Sequence, residues 1–240
     1  MSLKLFAFSG VYREKSLTSY CLSRLISDIK NISTTETASF FKPTTSFNIK
    51  FIENTDIFST EKDPISDSME SLRNEMLSSD IILLGTPVYL RQVSGCMKSF
   101  LDRIGNWTHT LDLRGKLCIN VTVNSANGGK DTSNYLDYIV QQMGMSLDSS
   151  ILISTGSMDM AVINNIIDVS AQNLMRHICQ KRFNISALQE EKYRVYKSMY
   201  QVSHPRNRDE LLWSTTKLSD FPNYKKLFID DLSLGLRDYR

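Results

Sequence analysis

Two kinds of apolar pattern alternate along the first three quarters of the chain. Compact apolar runs indicate strands at residues 3–9, 81–85, 117–123 and 150–154, and alternation of apolar and polar residues at 48–52 indicates a further strand nearer a sheet edge. After each run, apolar residues recur at helical spacing and predict helices at residues 17–30, 63–79, 94 onward, 132–143 and 162–179. Strict alternation of strand and helix predicts a parallel sheet that is covered by helices on both faces.

The expected fold class is therefore α/β, with a doubly wound sheet of five parallel strands, expected in the order 2-1-3-4-5. Sheets of this kind bind cofactors in the loops at their carboxyl edge. The third strand leads to that edge through the apolar run Ile81–Gly85. Pro87 follows closely, and because proline has no backbone donor we expect the strand to end there, before a helix that starts at Ser94.

Composition narrows the class of protein. Of the 240 residues, 41% are apolar and 22% are charged, and the formal net charge is +2. These values are typical of a globular domain, and the weak charge does not favour nucleic acid as a partner. No apolar run is long enough to span a bilayer, and the opening run Leu5–Phe8 is too short for a signal peptide. We therefore expect a soluble, cytoplasmic protein with no membrane partner.

The segment between the first strand and the first helix has the residues of a phosphate site. Free backbone N–H groups at a helix start favour an anion, and the helix dipole adds to this preference. The candidate ligands in this first loop are Ser9, Arg13, Ser16, Leu17 and Thr18. An arginine and two hydroxyls at a helix start can equally be capping residues, so this loop alone leaves both interpretations open.

Two further loops lie at the same predicted edge. The second loop follows the third strand, and the third loop follows the fourth strand. In the third loop, two successive glycines either let the backbone approach a flat ligand closely or form an ordinary turn. The candidate ligands in these two loops are Pro87, Val88, Tyr89, Leu90, Arg91, Asn124, Ser125, Asn127, Gly128 and Gly129.

The run TPVYLRQVSGCMKSFLDR, at residues 86–103, resembles the TPVY…SGxxKxFxDR signature of NADPH-dependent FMN reductases and flavodoxin-like quinone reductases. In the first loop, Gly10, Arg13, Ser16 and Thr18 match the GSxRxxSxT pattern of that family, whereas Val11 stands where the family commonly has serine. The resemblance covers about residues 3–180. It implies that FMN binds across the three loops, with residues 87–90 beside the isoalloxazine ring.

The resemblance also implies an activity. An FMN-dependent oxidoreductase of this family passes hydride from NADPH or NADH through FMN to a small acceptor, such as a quinone, an azo compound, a flavin or a metal ion. FMN carries the redox chemistry, so no catalytic side chain is required. Three alternatives stay open: a flavin-bearing electron carrier, a tailoring reductase that acts on a protein or peptide, and a flavin-free regulatory member. The residues identify neither the acceptor nor the preferred nicotinamide.

Metal and disulfide chemistry find no support in the cysteine pattern. Cys21, Cys96, Cys118 and Cys179 are widely spaced, which fits neither a disulfide framework nor a metal cluster. Iron–sulfur members of the resembled family carry a compact group of cysteines after the second strand, and residues 54–63 contain none. We therefore predict no metal site, and we expect the four cysteines to be buried apolar residues.

Residues 181–240 break the alternation and form a predicted extension to a flavodoxin-like domain at residues 1–180. Many aromatic residues mark this extension: Tyr193, Tyr196, Tyr200, Trp213, Phe221, Tyr224, Phe228 and Tyr239. We expect it to be mostly helical and to pack on its own domain or on a second subunit. An arm that caps the substrate or binds a partner is the alternative. Because members of the resembled family commonly assemble, the resemblance also implies a homodimer or larger homo-oligomer.

Overall fold

A computed structural model describes residues 3–11, 15–35, 49–51, 68–202, 204–216 and 218–232. The strands are β1 (Leu5–Ser9), β2 (Ile49–Phe51), β3 (Ile81–Tyr89), β4 (Gln92–Val93), β5 (Leu117–Asn124) and β6 (Ser146–Ser154). The helices are α1 (Leu17–Thr35), α2 (Ser68–Ser78), α3 (Gly95–Arg103), α4 (Trp107–Thr110), α5 (Gly129–Gln142), α6 (Met160–Cys179), α7 (Ala187–Tyr200), α8 (Arg208–Thr215) and α9 (Tyr224–Asp230).

The sheet has the strand order β2-β1-β3-β5-β6, and each neighbouring pair in this order is parallel. The predicted order 2-1-3-4-5 is thereby confirmed, because the two-residue strand β4 only extends β3 as an antiparallel hairpin. The alternation of strand and helix predicts a parallel sheet, although alternation alone allows more than one strand order.

The third strand does not end at Pro87, and this expectation was wrong. β3 continues to Tyr89, and Pro87 pairs in register with Val123 of β5. Gly10 N–H donates to Gly85 O at 2.7 Å, so the polar backbone groups of Gly85 face β1. Alternate residues of a strand face the same side, so the missing donor of Pro87 also points that way. β1 has already ended at Ser9, opposite Gly85, and the proline therefore costs the sheet no hydrogen bond.

Several element boundaries also differ from the expectation. β6 begins at Ser146 rather than at residue 150, because the polar residues of this edge strand hide its start in the hydrophobic pattern. The helix predicted from residue 132 begins at Gly129, and the one predicted from residue 63 is described only from Ser68. The rest of that predicted start, at residues 63–67, lies outside the described part of the chain.

The two faces of the sheet bury separate apolar clusters. Ile81 and Leu83 of β3 point to the cluster that packs against α1 and α6, whereas Ile82 and Leu84 point to the cluster beneath α3 and α5. Three of the cysteines are buried in these clusters as expected, but Cys179 is exposed at the end of α6. None of the helices in the described ranges is long and apolar enough to cross a membrane.

The C-terminal extension packs against the amino edge of the sheet. The Trp213 indole N–H donates to His109 O at 3.0 Å, and the Tyr224 hydroxyl donates to Gly144 O at 2.5 Å. Gly115 packs directly against the backbone at the end of α9, because an added Cβ on this glycine would lie 2.3 Å from Asp231 O. Gly115 and Gly144 lie just before β5 and β6, so these contacts are at the edge where the parallel strands begin. The three loops lie at the opposite edge, where the strands end.

Two largely buried lysines, one before β5 and one in α7 of the extension, predict a pH dependence of stability. Burial lowers the pKa of Lys116 to about 8 and the pKa of Lys192 to about 7. A lysine in the unfolded chain titrates near pH 10.4, so between pH 7 and 9 the unfolded state binds more protons than the folded state. The free energy of unfolding therefore rises with pH over this range, which urea denaturation at pH 7, 8 and 9 would measure.

Lysine variants test the origin of that slope. We expect Lys192→Met to make the free energy of unfolding less dependent on pH, because it removes one of the two groups. Lys226→Met, at an exposed position on α9, is the control and should leave the slope unchanged. A free energy of unfolding that falls from pH 7 to 9 would contradict this assignment.

Candidate functional site

Three loops meet at the carboxyl edge of the sheet, where β1, β3 and β5 end side by side. The first and second loops are joined at Gly10. An added Cβ on this glycine would lie 2.9 Å from both Met97 Cβ and Ser94 Oγ, so only glycine fits between β1 and the start of α3. The Ser94 hydroxyl donates to Gly10 O at 2.5 Å and accepts from Met97 N at 3.1 Å, which makes it the N-cap of α3. This contact fixes the first loop against the second.

In the first loop, the structure supports a capping role for Ser16. Its hydroxyl accepts from Ser19 N at 3.0 Å, and its carbonyl accepts from Tyr20 N at 2.9 Å. Among the described residues, no partner accepts from the backbone N–H of Leu17 or Thr18, which open α1. These two donors at a helix start suit an anion, so the capping and anion-binding interpretations are compatible.

Of the other candidate ligands in the first loop, two have buried side chains and one lies outside the described residues. Ser9 is fully buried, and its hydroxyl lies 3.2 Å from that of Ser19. Thr18 is also buried, with its methyl side toward Gly85 of β3. Arg13 lies outside the described residues. Ser9, Arg13, Ser16, Leu17 and Thr18 stay predicted ligands.

The second loop is a tight hairpin with a strained turn. Val88 pairs with Val93 and Tyr89 with Gln92, so only Leu90 and Arg91 connect the strands. Both have positive φ, 51° and 64°, as the central residues of a type I′ turn require. Glycine and asparagine normally occupy such positions, and other residues there cost about 1–3 kcal/mol each. Leu90 is fully exposed and Tyr89 is 61% exposed, so the strained turn projects apolar side chains over the edge of the sheet.

The third loop presents free backbone donors. Within the described part of the chain, the N–H groups of Ser125, Ala126 and Asn127 find no acceptor, and all three residues are exposed. The loop is anchored at both ends. Asn124 Oδ1 accepts from the Ser154 hydroxyl at 2.8 Å, and Ser125 O accepts from Gly156 N at 3.1 Å. The free amides are thus held in place by contacts to the end of β6.

The second and third loops touch through Arg91 and Gly128. An added Cβ on Gly128 would lie 2.8 Å from Arg91 Cα, and the φ of Gly128 is +75°. The Arg91 guanidinium donates twice to one carboxylate oxygen of Asp131, at 2.9 and 2.5 Å. Both side chains are exposed, so the ion pair contributes about 0–1 kcal/mol and acts mainly as a tie between the hairpin and α5. No sequence pattern points to Asp131, because its partner is forty residues away.

Two of the histidines lie away from the three loops. His109 is in α4 near the extension, and His177 is paired with Asp148 at the far end of α6. Trp107 is 4% exposed in the cluster beneath α3 and α5, so the structure favours a packing role for it. In the described ranges no group of three or more histidine, cysteine or acidic side chains is placed to hold a metal ion.

Comparison with protein families decides the classification. The family described as NADPH-dependent FMN reductase matches residues 3–156, a range that runs from β1 to just beyond β6 and contains all three loops. The chain belongs to this family. The extension, from residue 181, lies beyond the matched range.

One relative and two solved structures show how far the similarity extends. An iron–sulfur flavoprotein from Archaeoglobus fulgidus is 29% identical over 80 residues, which are 33% of this chain and 36% of that protein. An oxidoreductase from Corynebacterium diphtheriae has a TM-score of 0.60 at 16% sequence identity. The aligned region covers 75% of this chain and 98% of the oxidoreductase. An FMN-dependent NADH-azoreductase from Bacillus anthracis, in complex with FMN, has a TM-score of 0.54 at 11% identity over 72% of this chain and 98% of its own. The two structures establish the shared fold.

Proposed function

We propose that this member of the FMN reductase family is an FMN-dependent NAD(P)H oxidoreductase that passes hydride from a nicotinamide through FMN to a small acceptor. The observation that carries the proposal is the pair of free-amide clusters at one sheet edge, at residues 17–18 and 125–127. A flavin mononucleotide has an anionic phosphate at one end and a flat ring with polar edge atoms at the other. Two separate groups of backbone donors on one edge are what such a ligand needs.

We assign the phosphate to the first loop. The N–H groups of Leu17 and Thr18 lie in the positive field at the start of a nineteen-residue helix. The Ser16 hydroxyl is at the same helix start, where it accepts from Ser19 N–H and lies 2.8 Å from the Ser19 hydroxyl. Arg13 and Ser9 are the further phosphate ligands that the sequence predicts. A guanidinium beside a dianionic phosphate would supply a charge-assisted hydrogen bond.

We assign the ring to the second and third loops. Pro87, Val88, Tyr89 and Leu90 would line one side of the ring, while Arg91 holds the hairpin against α5. Asn124, Ser125 and Asn127 belong to the facing loop, in which Gly128 and Gly129 keep the backbone free of side chains. When bound, FMN supplies the hydride transfer, and the protein binds it, orients it and limits access to it. No catalytic side chain belongs to the proposal.

Purified protein offers a direct test of the cofactor and of the activity. We expect one FMN per chain, identified after denaturation, and loss of its visible absorbance within one turnover time when NADPH or NADH is added. Because the acceptor enters after the nicotinamide leaves, steady-state kinetics should be ping-pong. Recovery of FAD, or protein that cannot be reconstituted with any flavin, would overturn the cofactor assignment.

The exposed apolar tip of the hairpin favours a second candidate. Tyr89 and Leu90 lie beside the proposed ring site and are exposed, as expected of a surface that a protein or peptide partner covers. The alternative is a flavin-bearing electron carrier or a tailoring reductase with a protein or peptide substrate. A carrier would be reduced slowly by NADPH or NADH and quickly by a protein donor, so the rate of absorbance loss distinguishes the two candidates.

The proposal includes an assembly and a location. We propose that residues 1–180 carry the FMN site, that residues 181–240 cover the amino edge of the sheet, and that two or more copies associate. Light scattering at micromolar concentration should therefore give at least twice the chain mass of 27.5 kDa. A strict monomer would contradict this prediction. A reductase that draws on NADPH also fits the cytoplasm, where we propose that the protein acts.

A further inference from the structure

A second pocket lies far from the three loops, between the edge strand β6, the end of α6 and α9. Its volume is about 540 Å³, within the range of pockets that bind small organic molecules. The segment at its base is fixed to β6, because Asn184 O accepts from the Ser146 hydroxyl at 3.0 Å and Asn184 Nδ2 donates to Leu147 O at 3.3 Å. The pocket is therefore a fixed feature of the fold.

One side of this pocket is cationic. Lys181, Arg182 and Lys225 line it, and Asp148 is the only carboxylate among its described lining residues. The first two follow the end of α6, where cations also stabilise the helix dipole. Lys225 lies in the first turn of α9, where the Glu190 carboxylate accepts from its backbone N–H at 3.0 Å. The three lining cations together suit a negative ligand.

A histidine and a buried carboxylate complete that side. His177 Nδ1 lies 2.7 Å from Asp148 Oδ1, which leaves the second ring nitrogen, Nε2, without a partner among the described residues. The Asp148 side chain is 4% exposed, and its other oxygen, Oδ2, is buried with no hydrogen-bond partner. Burial accordingly raises the pKa of Asp148. His177 also lines the pocket, so Nε2 is the ring nitrogen left for a ligand.

Apolar residues also line the pocket. Phe183 and Phe228 contribute rings whose centroids are 5.8 Å apart and tilted by 49°, and Ile185 and Ile229 are further lining residues. Cationic and aromatic residues in one pocket match a ligand that carries an anionic group and a flat apolar group. Three cations and a histidine favour a dianion over a single carboxylate.

We propose that this pocket is a second ligand site that binds a small organic phosphate with an aromatic ring. The phosphate lies against Arg182, Lys225 and His177 Nε2, and the ring lies against Phe183 and Phe228. The site is independent of the flavin site, because its residues are at the amino end of β6 and the far end of α6.

Calorimetric titration of the FMN-loaded protein with phenyl phosphate tests the proposal. We expect saturable binding of one phenyl phosphate per chain with no rise in flavin fluorescence, since FMN stays bound. Inorganic phosphate should bind at least tenfold more weakly, because it lacks the ring. No saturable binding up to about 10 mM, equal binding of the two phosphates, or release of FMN on binding would each overturn the proposal.

Two neighbouring lysines of α9 provide a matched pair of variants. Lys225→Gln removes a lining cation, and we expect at least tenfold weaker binding of phenyl phosphate, as for loss of a charge-assisted hydrogen bond. Lys226→Gln makes the same change in net charge outside the pocket and should alter binding less than twofold. Both positions are exposed, so both variants should fold. Equal weakening by the two substitutions would show general charge attraction and would overturn the site.

Discussion

Replacing Gly128 with alanine should weaken FMN binding by about tenfold to a hundredfold while the fold persists. The added Cβ would lie 2.8 Å from Arg91 Cα and 2.9 Å from Arg91 Cγ, and the residue would keep a φ of +75° that alanine disfavours. Strain of this kind costs about 1–3 kcal/mol, and the exposed hairpin can relieve it only by moving away from the third loop. Because the ring is assigned to the space between these two loops, the movement would reduce flavin affinity.

Gly95→Ala is the control for that experiment. Gly95 begins α3 at the same edge of the sheet, yet nothing lies within 4 Å of its added Cβ. Alanine in a helix is favoured over glycine by up to about 1 kcal/mol, so this variant should be as stable as the parent or more so, with unchanged flavin affinity. Flavin titration of each apoprotein, with circular dichroism to check folding, makes the measurement. Wild-type affinity in Gly128→Ala would show that the ring does not lie between the hairpin and the third loop.

The sequence was sufficient to predict the sheet and the meeting of the loops. Both follow from alternation, since parallel strands necessarily bring the residues that follow them to one edge. The strand ending was wrong because it depends on a neighbour: Pro87 is tolerated in β3 only because β1 stops at Ser9. Periodicity along one strand contains no information on where the next strand ends.

The contacts that shape the site also could not be predicted from the sequence. Leu90 and Arg91 give no sign of a type I′ turn, because the usual signal is glycine or asparagine with positive φ. Gly10 was recognised as part of a motif, but its reason, the close approach of Ser94 and Met97, is a contact between residues more than eighty positions apart. The sequence predicted that the three loops meet at one edge, and tertiary packing decides how they fit together.

The extension shows the same division. Its many aromatic residues indicated that it covers a surface, but they did not identify which surface. The structure places Tyr193, Trp213 and Tyr224 in the cluster that also contains α1 and α6, at the edge away from the three loops. The packing contacts of the extension and the proposed flavin contacts are therefore at opposite edges of one sheet. Substitutions in the two regions should have separable effects.

Replacing Trp213 with alanine should lower the free energy of unfolding by about 3–5 kcal/mol, the usual range for a buried tryptophan. Its side chain is completely buried, with the rings of Tyr200 and Tyr193 at 5.5 and 6.0 Å, and the loss of its N–H leaves His109 O without that donor. The adjacent helix α8 offers a matched control in Leu211→Ala. Leu211 is 54% exposed, so its removal should change stability by no more than about 0.5 kcal/mol.

Urea denaturation followed by circular dichroism would compare these two variants with the parent chain. Flavin titration below the unfolding transition should give nearly unchanged affinity for both, because Trp213 is at the amino edge and the three loops are at the carboxyl edge. A loss of stability under about 1 kcal/mol in Trp213→Ala would mean that the extension contributes little to the core. A folded Trp213→Ala protein that binds FMN more than tenfold more weakly would instead place the extension in the flavin site and contradict the division of the chain at residue 180.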